Sequence, residues 1–405
     1  MMKRIWEQRG ISLSMRFFFR FLDYIWHKDR SLIVFSGGRD VGYSDNSRYL
    51  FERFIDVYSE EFEIVWVTPS RKLLDDVGVE ERIRNRIVYQ YSAKGIRSLL
   101  RAKTIFFCWG SSDLPGTDFS KRTIVIQLWH GIPIKRIGIC SKQLSKGQMD
   151  SAARAYRKFT YWICSSKIER NSVALCTGLP IDNVKVTGYP RNDYLIEHKN
   201  SMDSKMLTRF PFLEKTVILY APTYRSNGKL EFFPFDDFKI EEMRAFLEKR
   251  DAYLILRTHH VDDVVAARSL VLDCRSFGSD RIITLNRDSV RDVQEILPYV
   301  DILISDYSGI WVDFLLLDRP IVFVPYDLAT YENNDGLLYD YNYVTPGPKV
   351  SQFSELLRDI NSYCSDSSKD SDKRNRIKRM FHEYEDGMAY KRIIQLVRDE
   401  SSKGQ

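Results

Sequence analysis

The sequence predicts an α/β protein made of two parallel-sheet domains. Three observations carry that expectation. Short apolar runs of strand length alternate with polar stretches of helical length along most of the chain, the pattern of βαβ units. The alternation falls into two series, separated by the polar stretch His198–Ser204 that follows Pro190. The chain has 405 residues, enough for two ordinary domains. Together they predict two Rossmann-like domains facing a cleft, with a helix added at each end.

Residues 1–30 interleave aromatic and basic side chains, including Trp6, Phe17, Phe18, Phe19, Phe21, Tyr24 and Trp26. Two readings fit this segment: an amphipathic helix lying on a membrane surface, or a helix packed on its own domain. The first domain follows over 31–198. Its strands are expected at Leu32–Phe35, Glu63–Val67, Ile87–Tyr89, Thr104–Cys108, Ile124–Leu128, Tyr161–Cys164 and Val184–Thr187, with helices such as Ser47–Tyr58 and Ala93–Ala102 between them. The second domain spans 199–365, with strands at Val217–Tyr220, Tyr253–Arg257, Ile282–Thr284, Ile302–Ser305 and Ile321–Val324. The tail 366–405 begins polar and continues as a helix to about Arg398.

Composition narrows the function classes. With 44% hydrophobic residues the chain has enough apolar content for real cores and is not disordered. The net charge of +6 is mild but unevenly spread. Residues 1–30 hold seven cations against three anions, and residues 141–170 hold seven against two, which favours phosphate-bearing ligands or lipid headgroups. No recognised nucleic-acid-binding motif accompanies them, so nucleic acid is not an expected partner. The six cysteines are scattered, without CxxC or metal spacing, and read as reduced packing residues; no metal site is expected. No apolar run is long enough to span a bilayer and no secretory signal is expected. Neither GxGxxG after the first strand nor GxxxxGK[ST] occurs, which disfavours dinucleotide dehydrogenases and P-loop ATPases.

The candidate chemistry lies at strand ends, where open α/β sheets bind ligands. After the run Ile124-Val125-Ile126 comes Gln127-Leu128-Trp129-His130-Gly131-Ile132-Pro133-Ile134-Lys135. His130 reads as a base at a strand end, Gly131 as a tight turn and Lys135 as a nearby cation, although an ordinary loop histidine beside a turn glycine has the same pattern. In the second series Ser305-Asp306-Tyr307-Ser308-Gly309 closes a strand and opens a helix, so Ser308 and the backbone of Gly309 suit a phosphate, with Asp306 orienting a neighbour; a simple N-cap fits equally. Arg257 ends a strand before Thr258-His259-His260, and one histidine facing the cleft would offset charge on a leaving phosphate. Thr223 and Arg225 are further phosphate-type donors at a strand end. Tyr326 and Asp327 follow the last strand, facing sugar or acceptor hydroxyls or serving turn chemistry alone.

On these residues the chain resembles the CDP-glycerol glycerophosphotransferase family of teichoic-acid and capsule enzymes. The resemblance covers roughly residues 31–360. It rests on Gly42-Tyr43-Ser44-Asp45-Asn46, Trp129-His130-Gly131 with Pro133, Lys135 and Gly138, and Gly188-Tyr189-Pro190-Arg191-Asn192-Asp193. It continues through Tyr220-Ala221-Pro222-Thr223-Tyr224-Arg225, Arg257-Thr258-His259, Ser305-Asp306-Tyr307-Ser308, Asp313, Tyr326-Asp327-Leu328 and Thr345-Pro346-Gly347-Pro348. Two positions depart from the family pattern: Gly309 stands where a second serine is usual, and His260 where proline is usual.

The resemblance implies a GT-B architecture with the acceptor on the N-terminal domain and the CDP-linked donor on the C-terminal one. It implies catalytic roles for His130 and His259. Thr223, Arg225, Arg257, Asp306, Ser308 and Gly309 would hold the donor diphosphate, and Gly131, Lys135, Arg191, Asp313, Tyr326 and Asp327 the nucleotide or acceptor side. The expected reaction moves glycerol phosphate from CDP-glycerol to a lipid-linked glycan or polyol-phosphate acceptor at the cytoplasmic face of the membrane, and releases CMP. No cofactor is required, though Mg²⁺ fits a diphosphate donor. CDP-ribitol as donor, or sugar transfer from a nucleotide sugar, are the alternative readings.

Overall fold

The computed structural model describes residues 2–37, 42–76, 78–201, 203–223, 232–257 and 280–402, with only the backbone described for residues 2–13. Among the described residues, twelve strands form two sheets. The first holds β1 (Asp29–Phe35), β2 (Glu63–Thr68), β3 (Ile87–Tyr89), β4 (Ala102–Phe107), β5 (Ile124–Gln127), β6 (Tyr161–Cys164) and β7 (Val184–Val186) in the order β3-β2-β1-β4-β5-β6-β7. The second holds β8 (Thr216–Tyr220), β9 (Ala252–Arg257), β10 (Ile282–Leu285), β11 (Ile302–Ser305) and β12 (Ile321–Phe323) in the order β10-β9-β8-β11-β12. Every pairing is parallel. Both sheets wind outward in two directions from their first strand, so β1/β4 and β8/β11 are the places where the strand order reverses.

Strands in such sheets are covered on both faces, which explains their near-continuous apolar sequences. Leu32, Ile33, Val34 and Phe35 of β1 are fully buried. One face of the first sheet packs Leu32, Val34, Val67, Ile105, Phe107, Val125 and Trp162 into a core. On the other face, Phe35 stacks on Phe106 and meets Phe51 and Phe54 of α2 (Asp45–Tyr58) edge to face. In the second sheet Ile218, Tyr220, Leu254, Leu256, Ile302, Ile304 and Val322 pack with Phe232, Phe233, Phe235 and Phe353.

The chain divides into two units whose limits differ from the expected domain bounds. Unit 1 comprises residues 1–130, 144–193 and 386–405; unit 2 comprises 131–143 and 194–385. The crossing at 193/194 falls inside α3 (Pro190–His198), five residues before the expected boundary. The tail does not stand apart. Its first helix, α4 (Ser371–Phe381), belongs to unit 2, where buried Arg374 donates to the Asp318 side chain and to its carbonyl. The last helix, α5 (Ala389–Ser402), belongs to unit 1, where Asp193 accepts the free N–H groups of Ala389 and Tyr390 at its start.

The N-terminal helix, α1 (Met2–Ile25), belongs to unit 1. Phe19 meets Phe119 edge to face. Buried Asp23 accepts from the Ser120 N–H, the Thr123 hydroxyl and Lys28. Phe17, Phe18, Phe21, Tyr24 and Ile25 remain exposed, Phe17 by 77%.

Candidate functional site

In unit 1 the site is built around the exit of β5. Leu128 makes the last ladder bond, its N–H donating to the Phe107 carbonyl at 2.7 Å. The next residue, Trp129, has φ +55, a left-handed conformation that costs a non-glycine residue of order 1–3 kcal/mol, and Gly131 follows at φ +116. This double turn carries His130. It is held by Asn46 at the start of α2, whose buried Nδ2 donates to the Leu128 carbonyl (3.2 Å) and the Trp129 carbonyl (3.0 Å). The Asn46 Oδ1 accepts the Arg191 N–H (3.1 Å), and the Cys108 thiol donates to the Trp129 carbonyl (3.0 Å). The His130 imidazole lies flat on the Trp109 indole, with centroids 3.8 Å apart and planes at 4°, and a second ring contact is made by Trp129 at 4.1 Å and 33°. Trp109 follows β4, so this stack forms beside the reversal point of the first sheet.

Asp113 organises that turn. Its buried carboxyl accepts from the Cys108 N–H (2.7 Å) and the Trp109 N–H (3.0 Å), and burial pushes its pKa up to about 7. The Cys108 thiol is pushed well up by burial, with Asp45 and Asp113 adding to the effect, and is no nucleophile at neutral pH. Arg191, expected on the nucleotide or acceptor side, is buried; one guanidinium nitrogen donates to the His130 carbonyl (2.8 Å) and to Asp45 (3.1 Å). Its place is behind the histidine turn, as a brace.

In unit 2 the reversal point of the second sheet brings Thr223 and Asp306 together. The Asp306 Oδ1 accepts the Thr223 N–H (2.8 Å), the Thr223 hydroxyl (2.6 Å) and the Tyr307 N–H (2.6 Å). The Tyr307 hydroxyl donates to Asp327 (2.9 Å), and its ring stacks on Tyr331. Burial, with Asp327 beside it, holds the Tyr307 phenol well above its ordinary range, so it is a fixed donor. Ser308 is partly exposed and Tyr326 exposed at the same sheet edge. Gly309 precedes the short helix Ile310–Phe314; a Cβ there would lie 2.7 Å from the Ile132 carbonyl. Ile132 belongs to the loop 131–143, which pairs within unit 2 through a Lys135–Leu337 bridge and the Leu338 N–H donating to the Ile134 carbonyl. Gly131 and exposed Lys135 therefore belong to unit 2, whereas His130 belongs to unit 1.

Two expected ligand residues turn out to be internal. Arg257, the last residue of β9, is buried and donates to the carbonyls of Asn286 (3.0 Å), Val290 (3.0 Å) and Leu285 (3.4 Å). Burial lowers its pKa to about 10. Asp313 is fully buried and accepts from the Gln294 side chain (3.0 Å). Arg257 at its strand end and Asp313 in the helix Ile310–Phe314 both serve to hold the loop 285–295. His259, His260 and Arg225 lie outside the described residues. Sequence reasoning assigned no role to Asn46, Trp109, Asp113 or Tyr307. Asn46 stands within a quoted motif, but the Trp109 stack needed the β4–β5 adjacency to become visible.

The fold and these two loop clusters define an α/β protein with two parallel sheets and polar residues gathered at the strand ends. A family described as CDP-Glycerol:Poly(glycerophosphate) glycerophosphotransferase matches residues 18–399, and the chain belongs to that family of transferases. It is 26% identical over 384 residues to a teichoic acid glycerol-phosphate transferase of Staphylococcus aureus, covering 91% of this chain and 93% of that protein. It is 30% identical over 241 residues to a teichoic acid poly(ribitol-phosphate) polymerase of Bacillus spizizenii, covering 58% of this chain and 38% of that longer protein. A solved structure of the wall teichoic acid polymerase TagF matches with TM-score 0.74 at 22% identity, over 93% of this chain and 90% of that one, which is a likeness of fold.

Proposed function

We propose that the protein transfers glycerol phosphate from CDP-glycerol to a hydroxyl of a lipid-linked or polymeric acceptor in teichoic acid or capsular polymer assembly. Family membership together with His130, displayed on a strained turn at a strand end, carries this reading. The acceptor oxygen attacks the β-phosphorus of the donor while His130 takes the hydroxyl proton. The new P–O bond forms as the bond to the CMP oxygen breaks, leaving a phosphodiester and CMP. Ser308 of unit 2, with Arg225 and His259, holds the diphosphate and offsets charge on the departing CMP, while Asp306 and Thr223 brace the turn beside it. No protein-held cofactor is needed, and Mg²⁺ arrives with the diphosphate.

The test is CMP release from CDP-glycerol with a polyol-phosphate acceptor. His130→Gln should lower it on the order of 10²–10⁴-fold. Near-normal release would remove His130 as the base. CDP-ribitol and nucleotide sugars complete the donor panel: turnover of CDP-ribitol alone would move the donor, and release of a nucleoside diphosphate would make this a sugar transferase.

The same reading places the enzyme at the cytoplasmic face of the membrane, held peripherally. Among the described residues no helix is long and apolar enough to cross a membrane. The exposed aromatic side of α1, with Arg20 beside it, suits an interface of anionic lipids. Flotation with anionic vesicles should weaken when Phe17, Phe18 and Phe21 are changed to serine; unchanged flotation would leave α1 a purely structural helix.

A further inference from the structure

We propose that Trp109 is a positioning residue for His130, its indole fixing the plane of the imidazole and stabilising the imidazolium that forms as the acceptor proton is taken up. This rests on the reading of His130 as the base. Aromatic pairs in proteins usually have centroids about 4.5–7 Å apart and prefer offset or edge-on arrangements. The Trp109–His130 pair is closer, at 3.8 Å, and nearly parallel, at 4°. Trp129 lies on the same imidazole at 4.1 Å. A neutral imidazole in contact with indole rings gains mainly dispersion, whereas an imidazolium also gains a cation–π attraction. The arrangement therefore favours the protonated ring over the neutral one, an interaction strengthened along the reaction and absent from the resting state.

Trp109 is itself held from behind. Asp113 fixes the Cys108 and Trp109 N–H groups, Gly110 supplies a turn at φ +80, and the Ser112 hydroxyl donates to the Trp109 carbonyl at 3.0 Å. The indole Nε1 is buried and meets no hydrogen-bond partner among the described residues, so the ring plane is set by its faces and its backbone. Among the described residues, the charged and titratable groups in contact with this turn include Arg191 and Asp45 from the α2 and α3 side, and Cys108 and Asp113 from the β4 side.

The experiment compares Trp109→Leu with Trp109→Phe in the full chain. Both fill the site with an apolar group, and only phenylalanine keeps a π face. The readouts are the pH profile of kcat/KM for CMP release and the imidazole titration of His130 by NMR. Trp109→Leu should lower kcat about tenfold and move the acidic limb and the His130 titration down by about one pH unit, while Trp109→Phe recovers most of both. Equal behaviour of the two variants, with an unmoved titration, would overturn the proposal. His130→Gln separates the two ideas: if it stays active the base reading fails, and if it is inactive while Trp109→Leu leaves the limb in place only the indole's role fails. Should Trp109→Leu not fold, Asp113→Ala loosens the same turn without altering either ring and carries the same expected downward shift.

Discussion

Replacing Asn46 by alanine tests how the histidine turn is held. Asn46 is fully buried and makes three hydrogen bonds, two donated to the Leu128 and Trp129 carbonyls and one accepted from the Arg191 N–H. Alanine has no atom to replace any of them. The Trp129 carbonyl keeps the Cys108 thiol, so two backbone groups lose a buried partner. At about 1–3 kcal/mol for each unsatisfied group the loss is about 2–6 kcal/mol. The left-handed Trp129 stores strain of order 1–3 kcal/mol, comparable with what Asn46 provides to hold it. The turn should therefore relax in the variant, and His130 with it.

The expected result is a lower thermal midpoint for unit 1, by about 4–24 °C, since a domain of this size loses about 2–4 °C per kcal/mol. CMP release measured well below that midpoint should fall by at least about tenfold, because a misplaced base loses its geometry. Asn46→Asp refines the test. It keeps the acceptor for Arg191 but points a carboxylate at two carbonyl oxygens, so its pKa rises on folding and its cost grows as pH increases from about 4 upward. A midpoint within 1 °C of wild type, with CMP release within twofold, would refute this account of the turn.

Three further outcomes follow from the same contacts. The folded-state pKa of Asp113 is raised to about 7 by burial, so its contribution to stability is fully present below the unfolded value near 3.9 and is lost as pH rises through about 7; Asp113→Asn should flatten that part of the urea-midpoint profile between pH 5 and 8, and an unchanged slope would deny the shift. Gly309→Ser restores the usual family residue but sets a Cβ 2.7 Å from the Ile132 carbonyl, so the loop 131–143 must move; a loss of about 1–3 kcal/mol in the unit 2 urea transition is expected, and a neutral substitution would show that the loop yields freely. Arg257→Lys cannot serve three carbonyls with one ammonium group and should cost about 1–3 kcal/mol in stability while leaving the KM for CDP-glycerol within twofold; a tenfold rise in KM at normal stability would return Arg257 to the diphosphate.

The strands were legible because parallel strands are buried on both faces and therefore spell continuous apolar runs; all twelve expected runs, from Leu32–Phe35 to Ile321–Val324, coincide with strands to within a few residues. Membership of the units was not legible. The loop 131–143 joins unit 2 through the pairing of Lys135 with Leu337, two hundred residues away, and α5 returns to unit 1 through Asp193 and through Arg398 with Glu61. No local pattern announces such contacts. Arg191 and Asp313 were expected at the site from the family resemblance, and Arg257 also from its charge at a strand end; neither source displays burial.

Strand-end spacing separates the two kinds of residue. The last residue of a ladder is still inside the sheet, as Arg257 opposite Leu285 and Ser305 opposite Phe323 demonstrate. The first residue beyond it is buried too, as with Leu128, Ala221, Asp306 and Val324. By the third residue the chain has left the sheet edge: His130 after Gln127, Thr223 after Tyr220, Ser308 after Ser305 and Tyr326 after Phe323 all reach solvent at least in part. A strand rises about 3.3 Å per residue, so three residues advance at most about 10 Å beyond the last strand residue, and less where the chain turns as it does at Trp129. The buried polar residues just before that point brace the turn, as Asp306 does for Thr223. Position along the exit, more than residue type, therefore decides which side chain can meet a substrate, and by that criterion His130 qualifies where Arg257 does not.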